Sequence, residues 1–163
     1  MTIFNDLENT NQVLSKSGRL LGIDVGTKRI GIAVSDASRF IATPKLIIAR
    51  QSNAKDFEKI KQLIEEYEVL GIVVGLPINM DGVEGEMTHF SREFTANLDE
   101  YLTRKFPIFF FDERLTSFEA REFGFSKISR QRANSRYRYI DDIAASLILQ
   151  GFLDVSGAVR IWK

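Results

Sequence analysis

The spacing of apolar positions carries no pattern at the start of the chain and acquires one near Arg19. Residues 1–17 are polar, keep no period and end in Ser-Lys-Ser-Gly, which predicts a flexible N-terminal extension with at most a helical turn. Residues 20–24 read as a strand that is apolar on both faces until Asp24, and after Val-Gly-Thr-Lys the run 30–34 reads as its antiparallel partner. The β-forming residues 44–48 predict a third strand. Phe57, Ile60, Leu63, Ile64 and Tyr67 recur at helical spacing, so 54–68 is expected to be an amphipathic helix, followed by an apolar strand at 70–74. Phe90, Phe94, Leu98, Tyr101 and Leu102 mark a second helix that Pro107 ends, and 108–111 is the next buried strand. A short helix over 116–122, a basic loop over 124–139 and a final helix over 140–153 complete the series. This order predicts an α/β fold: a mixed five-stranded sheet with helices on both faces.

Composition narrows the class. A chain of 163 residues suits one domain, here 18–163 after the extension, and no apolar run approaches the roughly 20 residues that cross a bilayer. Without cysteine there are neither disulfides nor thiolate metal sites, and the first residues lack the order of a signal peptide, so a cytoplasmic address is the default. His89 is the sole histidine and reads as an ordinary polar position of a helix, so any metal must be a hard cation on carboxylate oxygens. Basic and acidic residues balance at 22 each, so affinity for nucleic acid has to come from local clustering.

Three carboxylates stand where an ionised group is costly. Asp24 ends an apolar strand; taken alone it would serve equally to cap the Gly-Thr turn. Glu113 lies just beyond the strand 108–111, flanked by Asp112 and Arg114, where a salt-bridged turn is the plainer reading. On a wheel of the last helix, Asp142, Ser146 and Gln150 form a polar stripe while Asp141 projects among Ile140, Ala144, Ala145 and Ile148. Asp141 alone would suit the amides of a helix start. Two strand ends and one inward helix start nonetheless lie where one cavity gathers all three acids. Such an all-oxygen site suits Mg²⁺ or Mn²⁺, and a pair of such ions is the usual apparatus of phosphodiester displacement.

Cations cluster next to this site. Lys127, Arg130, Arg132, Arg136 and Arg138 precede Asp141 with Tyr137 and Tyr139 interleaved, and Lys28 and Arg29 follow Asp24. Guanidinium groups fork onto phosphates and stack on bases, so Lys28, Arg29, Arg114, Arg132, Arg136 and Arg138 are the expected substrate contacts. The glycine-rich stretch 75–86 reads as a shaped loop that closes over substrate. No Walker or dinucleotide-binding glycine pattern is present.

Four segments together resemble the bacterial YqgF/RuvX family of nucleases, assigned both to pre-16S rRNA maturation and to Holliday junction resolution. They are Gly-Ile-Asp-Val-Gly-Thr-Lys-Arg-Ile-Gly from Gly22, Val-Gly-Leu-Pro-Ile-Asn-Met-Asp-Gly from Val74, Asp-Glu-Arg-Leu-Thr-Ser from Asp112 and Ile-Asp-Asp-Ile-Ala-Ala-Ser-Leu-Ile-Leu-Gln from Ile140. The resemblance implies a ribonuclease H-like fold, a divalent-metal site and a role in maturing the 5′ end of small-subunit ribosomal RNA. It carries the catalytic and metal-binding roles onto Asp24, Glu113 and Asp141. RNA is the favoured substrate and branched DNA the alternative, with 5′-phosphate and 3′-hydroxyl products expected. Two rivals of other classes are an actin-like or sugar-kinase ATPase, whose phosphate loop Asp-Val-Gly-Thr resembles, and a non-catalytic nucleic-acid-binding module. The chain is short for the first, and the three intact acids speak against the second.

Overall fold

The computed structural model describes residues 2–5, 10–14, 16–115 and 140–156, with the backbone alone at 140–142. The strands are β1 (Ile3–Phe4), β2 (Arg19–Val25), β3 (Arg29–Ser35), β4 (Ala42–Ala49), β5 (Val69–Leu76) and β6 (Ile108–Asp112). The helices are α1 (Thr10–Val13), α2 (Asn53–Glu66), α3 (Glu86–Tyr101) and α4 (Ile140–Val155), and a 3₁₀ turn covers Glu113–Leu115. The strands form one mixed sheet in the order β1-β6-β5-β2-β3-β4: β2, β3 and β4 pair antiparallel, while β2, β5, β6 and β1 run parallel. This is the ribonuclease H-like α/β arrangement, with helices on both faces.

Strand alternation sorts the apolar residues into two layers. Leu21, Ile23, Ile72, Val74, Ile108 and Phe110 face α2 and α3, meeting Phe57, Ile60, Phe94 and Leu98. Leu20, Ala33, Val73, Phe109 and Phe111 face α4, meeting Ala145, Ile148, Leu149 and Phe152. Helix α2 starts where Ser52 accepts the Lys55 N–H (3.3 Å), a local N-cap. His89 lies exposed on α3, an ordinary helical position. Among the described residues, no helix is long and apolar enough to cross a membrane.

One expectation is corrected. Among the described residues the sheet has six strands, not five, because Ile3 and Phe4 pair with Ile108 and Phe109 at its edge. The described residues before Arg19 make packing contacts that their polarity does not suggest. Phe4 stacks on Phe109 with ring centroids 5.3 Å apart, Leu14 is buried, and the Ile108 N–H reaches the Thr2 carbonyl (2.6 Å). Arg39, a fully buried cation, donates from Nε to the Gly18 carbonyl (2.8 Å) and from its terminal nitrogens to those of Leu14 (3.2 Å) and Lys16. A lone pair of apolar residues shows no period, and contacts to backbone carbonyls leave no trace in composition. Deleting residues 1–17 is therefore expected to cost about 3 kcal/mol or more, chiefly through Leu14 and Phe4. That lowers the melting temperature by roughly 6–12 °C. Coincident melting curves for the full and shortened chains would show that these contacts contribute nothing.

Candidate active site

Strands β2, β5 and β6 are parallel, so their carboxyl ends leave the sheet at one edge. From β2 the chain turns back into β3 on one side, while β5 and β6 lie on the other. The boundary between β2 and β5 is thus a topological switch point, where open α/β sheets form ligand crevices. Asp24 stands on β2 one residue beyond the Ile23–Val74 pair and opposite Gly31, half-buried. It shares the α4 face with Leu20 and Gly22, by alternation along the strand.

Glu113 reaches the same face. It follows the last residue of β6 and starts the 3₁₀ turn, half-buried like Asp24. Its side chain folds back over Gly75 of β5: a Cβ built on Gly75 would lie 2.7 Å from Glu113 Oε1 and 2.4 Å from Ile148 Cδ1. The bare glycine backbone is the cradle for this carboxylate. Any side chain there would occupy the space that Glu113 and Ile148 fill.

The third acid enters through the direction of α4. Near the far end of the helix, Gln150 bonds the Ala42 N–H and the Phe40 carbonyl (both 3.0 Å), beside the edge where β3 ends and β4 begins. Leu20 is at that level, its N–H bound to Ser35 Oγ (2.9 Å). Going back from Gln150 to residue 141 climbs about 13.5 Å of helix axis, and Leu20 to Asp24 covers about 13 Å of strand. The backbone of Asp141 is thereby carried to the edge holding Asp24 and Glu113. It lies four and seven residues before Ala145 and Ile148, which are buried on the sheet. Its side chain is outside the described residues.

Arg50, which sequence reading passed over, fixes the turn after Asp24. Its Nη1 meets the Gly26 carbonyl (3.4 Å), its backbone N–H the Lys28 carbonyl (3.0 Å) and its Nε the buried carboxylate of Asp56 (3.2 Å). The guanidinium also lies 5.3 and 5.2 Å from the ring centroids of Phe90 and Phe94. The β2–β3 turn is thus tied to α2 and α3, and it presents Lys28 and Arg29 exposed at the same edge as Asp24. Only a fold that brings 26, 56 and 90 together makes Arg50 legible.

Arg114 is engaged within the chain: its Nε and Nη2 fork onto the Asp112 carboxylate (3.1, 3.0 and 2.7 Å), and its N–H caps the same group (2.9 Å). Burial pushes the Asp112 carboxyl up, but the bonds from Arg114 outweigh it and hold the group below its usual value. Arg132, Arg136 and Arg138, with the expected helix 116–122 and loop 124–139, lie outside the described residues. Among the described residues, no three carboxylates or histidines gather into a metal-binding group, and Asp24 and Glu113 are the two candidate acids described. Both offer hard oxygen donors, and the space cleared at Gly75 brings one of them onto the sheet, so the residues fit a hard divalent cation.

A family model described as RuvX, Holliday junction resolvase, matches residues 18–155. A relative from Thermoanaerobacter pseudethanolicus, named "Putative pre-16S rRNA nuclease", is 48% identical over 136 residues, covering 83% of this chain and 96% of its own. One of the same name from Cereibacter sphaeroides is 42% identical over 153 residues, covering 93% and 92%. Among solved structures, Thermus thermophilus RuvC in complex with a Holliday junction substrate superposes with a TM-score of 0.56 at 8% identity, over 84% of this chain and 95% of that one. The yeast mitochondrial Holliday junction resolvase Ydc2 gives 0.51 at 13% identity, over 92% and 85%. At such identities these structures establish the shared fold.

Proposed function

The chain belongs to the RuvX Holliday junction resolvase family, and from that premise we propose that it is a nuclease whose active site is the edge formed by Asp24, Glu113 and Asp141. The substrate proposed is precursor 16S ribosomal RNA, matured at its 5′ end in the cytoplasm. One observation carries the site: the Glu113 carboxylate folds over a side-chain-free Gly75, on the sheet face and at the strand ends that also hold Asp24. The preference for RNA rests on the name shared by relatives of 40–48% identity. The family description favours a second reading, branched DNA.

Asp24, Glu113 and Asp141 would hold Mg²⁺ or Mn²⁺, two ions in our reading. Bound there, such ions supply an activated water and stabilise the charge developing on the leaving oxygen. The chain's own part is positional. Asp24 is set by its strand and by the turn that Arg50 secures. Glu113 is set by Gly75 and Ile148. Lys28, Arg29 and the arginines at 132, 136 and 138 hold the phosphate backbone, and Arg114 adds to them from its place beside Asp112. The test is a cleavage assay on precursor RNA and a four-way DNA junction side by side, with each metal and with EDTA. RNA cleavage in Mn²⁺ or Mg²⁺ is expected; cleavage confined to the junction would transfer the substrate to DNA, and full activity in EDTA would remove the metal.

Substrate capture should be separable from chemistry. Replacing Arg132, Arg136 and Arg138 together by Ala is expected to flatten the slope of log affinity against log salt by about two units, since each lost phosphate contact removes roughly 0.7 to 0.9. Salt titration of RNA binding in Ca²⁺ measures this. An unchanged slope would move the phosphate contacts to Lys28, Arg29 and their surroundings.

A further inference from the structure

Loop 77–85 leaves β5 at the edge that carries the acids, and it is fixed in shape. Its turn closes through the Gly82 N–H to the Asn79 carbonyl (2.8 Å) and the Asn79 N–H to that of Val83 (3.2 Å), while Asp81 Oδ1 accepts the Val83 N–H (2.9 Å). Gly82 adopts φ +86°, which favours glycine. The base of the loop is pinned as well. The Thr88 hydroxyl bonds the Pro77 carbonyl and the Gly85 N–H, and Arg92 forks onto Glu84 while lying 5.0 Å from the Phe110 centroid.

At the tip of this fixed loop Met80 is 86% exposed, with Val83 at 58% close by. Leu115, 55% exposed, follows Arg114 in the chain, and the Arg114 Nη1 lies 3.6 Å from where a Cβ on Gly82 would stand. These apolar groups contribute little to the fold, yet the loop is built to hold them at the edge of the site. The chemistry around them selects what they meet. Arg114 is forked onto Asp112 and Arg92 onto Glu84, so the two cations beside the loop are partly neutralised, and Asp81 in the turn itself disfavours phosphate. A flat uncharged surface suits the patch. The polarizable thioether of Met packs well on aromatic rings.

Resting on the nuclease reading above, we propose that Met80, with Val83 of the same turn beside it, is a contact for an unpaired nucleobase of the substrate strand. Met80 is four residues beyond Leu76, which pairs with Asp112, and four residues span at most about 14 Å. The base it meets is therefore within a few nucleotides of the phosphate being cut.

The experiment measures binding of single-stranded RNA in Ca²⁺ together with cleavage in Mn²⁺. Met80→Ala is expected to weaken binding about fivefold to tenfold, at the lower end of what losing one stacked base costs. Its melting temperature should be unchanged, since the side chain is in solvent. Met80→Phe should restore binding, and paired duplex should be indifferent to residue 80. A single abasic nucleotide walked along the strand then locates the contact: at one position it should weaken the wild type but add nothing to Met80→Ala. Wild-type binding by Met80→Ala, or abasic losses that ignore residue 80, would overturn the proposal while leaving an active nuclease. A wild type that neither binds nor cuts RNA or DNA would take the nuclease reading down with it.

Discussion

Asp24→Asn is expected to remove metal-dependent cleavage while the fold survives. Residues that merely orient a metal's ligands cost ten- to a hundredfold when lost, so a ligand itself should exceed about a hundredfold. The substitution keeps the shape of the side chain on β2 and removes one charge from a site in which Glu113 shares the same face and edge. Carboxylates crowded together repel, so metal-free Asp24→Asn should melt at the same temperature as the wild type or slightly higher. The rise in melting temperature on adding Mn²⁺ should shrink, because stabilisation by a ligand depends on its affinity. Glu113→Gln and Asp141→Asn should behave alike, whereas Asp142→Asn, on the polar stripe, should be nearly silent. Loss of activity in Asp142→Asn with a wild-type Asp141→Asn would reverse the assignment on the helix. An Asp24→Asn enzyme with full Mn²⁺-dependent turnover would remove Asp24 from the chemistry.

The sequence made legible what local rules govern. Phe57 to Tyr67 and Phe90 to Leu102 recur at helical spacing because each helix buries one stripe, and α2 and α3 are found there. The runs at Leu20 and Ile108 are apolar on both faces because helices cover both sides of the sheet, and those residues divide between the two layers. Asp24 and Glu113 stood out as charges ending such runs. The wheel reads Asp141 as inward-facing; the path of α4 carries its backbone to the same edge, and its side chain lies outside the described residues.

The features missed depend on pairings between distant segments. Ile3 and Phe4 become a strand only because β6 offers an edge. Arg39 is buried by carbonyls of a segment that precedes it by about twenty residues. Arg50 reads as one more surface cation until Gly26, Asp56 and the two phenylalanines are in place. The charge of Arg114 is visible in the sequence, but its fork onto Asp112 is visible only in the turn that follows β6. Gly75 looked like the start of a loop, and its part in the site comes from what stands opposite.

Gly75→Ala is expected to disable the enzyme more than it destabilises it. The added Cβ would lie 2.4 Å from Ile148 Cδ1 and 2.7 Å from Glu113 Oε1, both closer than atoms tolerate. Each is the far end of a side chain, so the structure can yield, but the two yield differently. Ile148 is 3% exposed in a close-packed layer and can only shift against Leu149 and Phe111, an overpacking cost of about 1–3 kcal/mol. Glu113 borders solvent and will swing its carboxylate away, and displacing a reacting group by about 1 Å costs on the order of a hundredfold in rate. Gly22→Ala makes the informative contrast. There the new Cβ would meet Leu149 Cβ at 2.7 Å and the Ala145 carbonyl oxygen at 3.1 Å, groups fixed to the helix, so α4 itself must move and stability should suffer more than at Gly75. Adding Ile148→Val to Gly75→Ala removes the methyl that clashes and should recover most of the melting temperature. It should not recover turnover or Mn²⁺ affinity, since the contact with Glu113 remains. Melting curves and Mn²⁺ titrations of the two single variants and the double variant decide it: activity returning together with stability would mean that Gly75 serves packing alone and that Glu113 does not need the space above it.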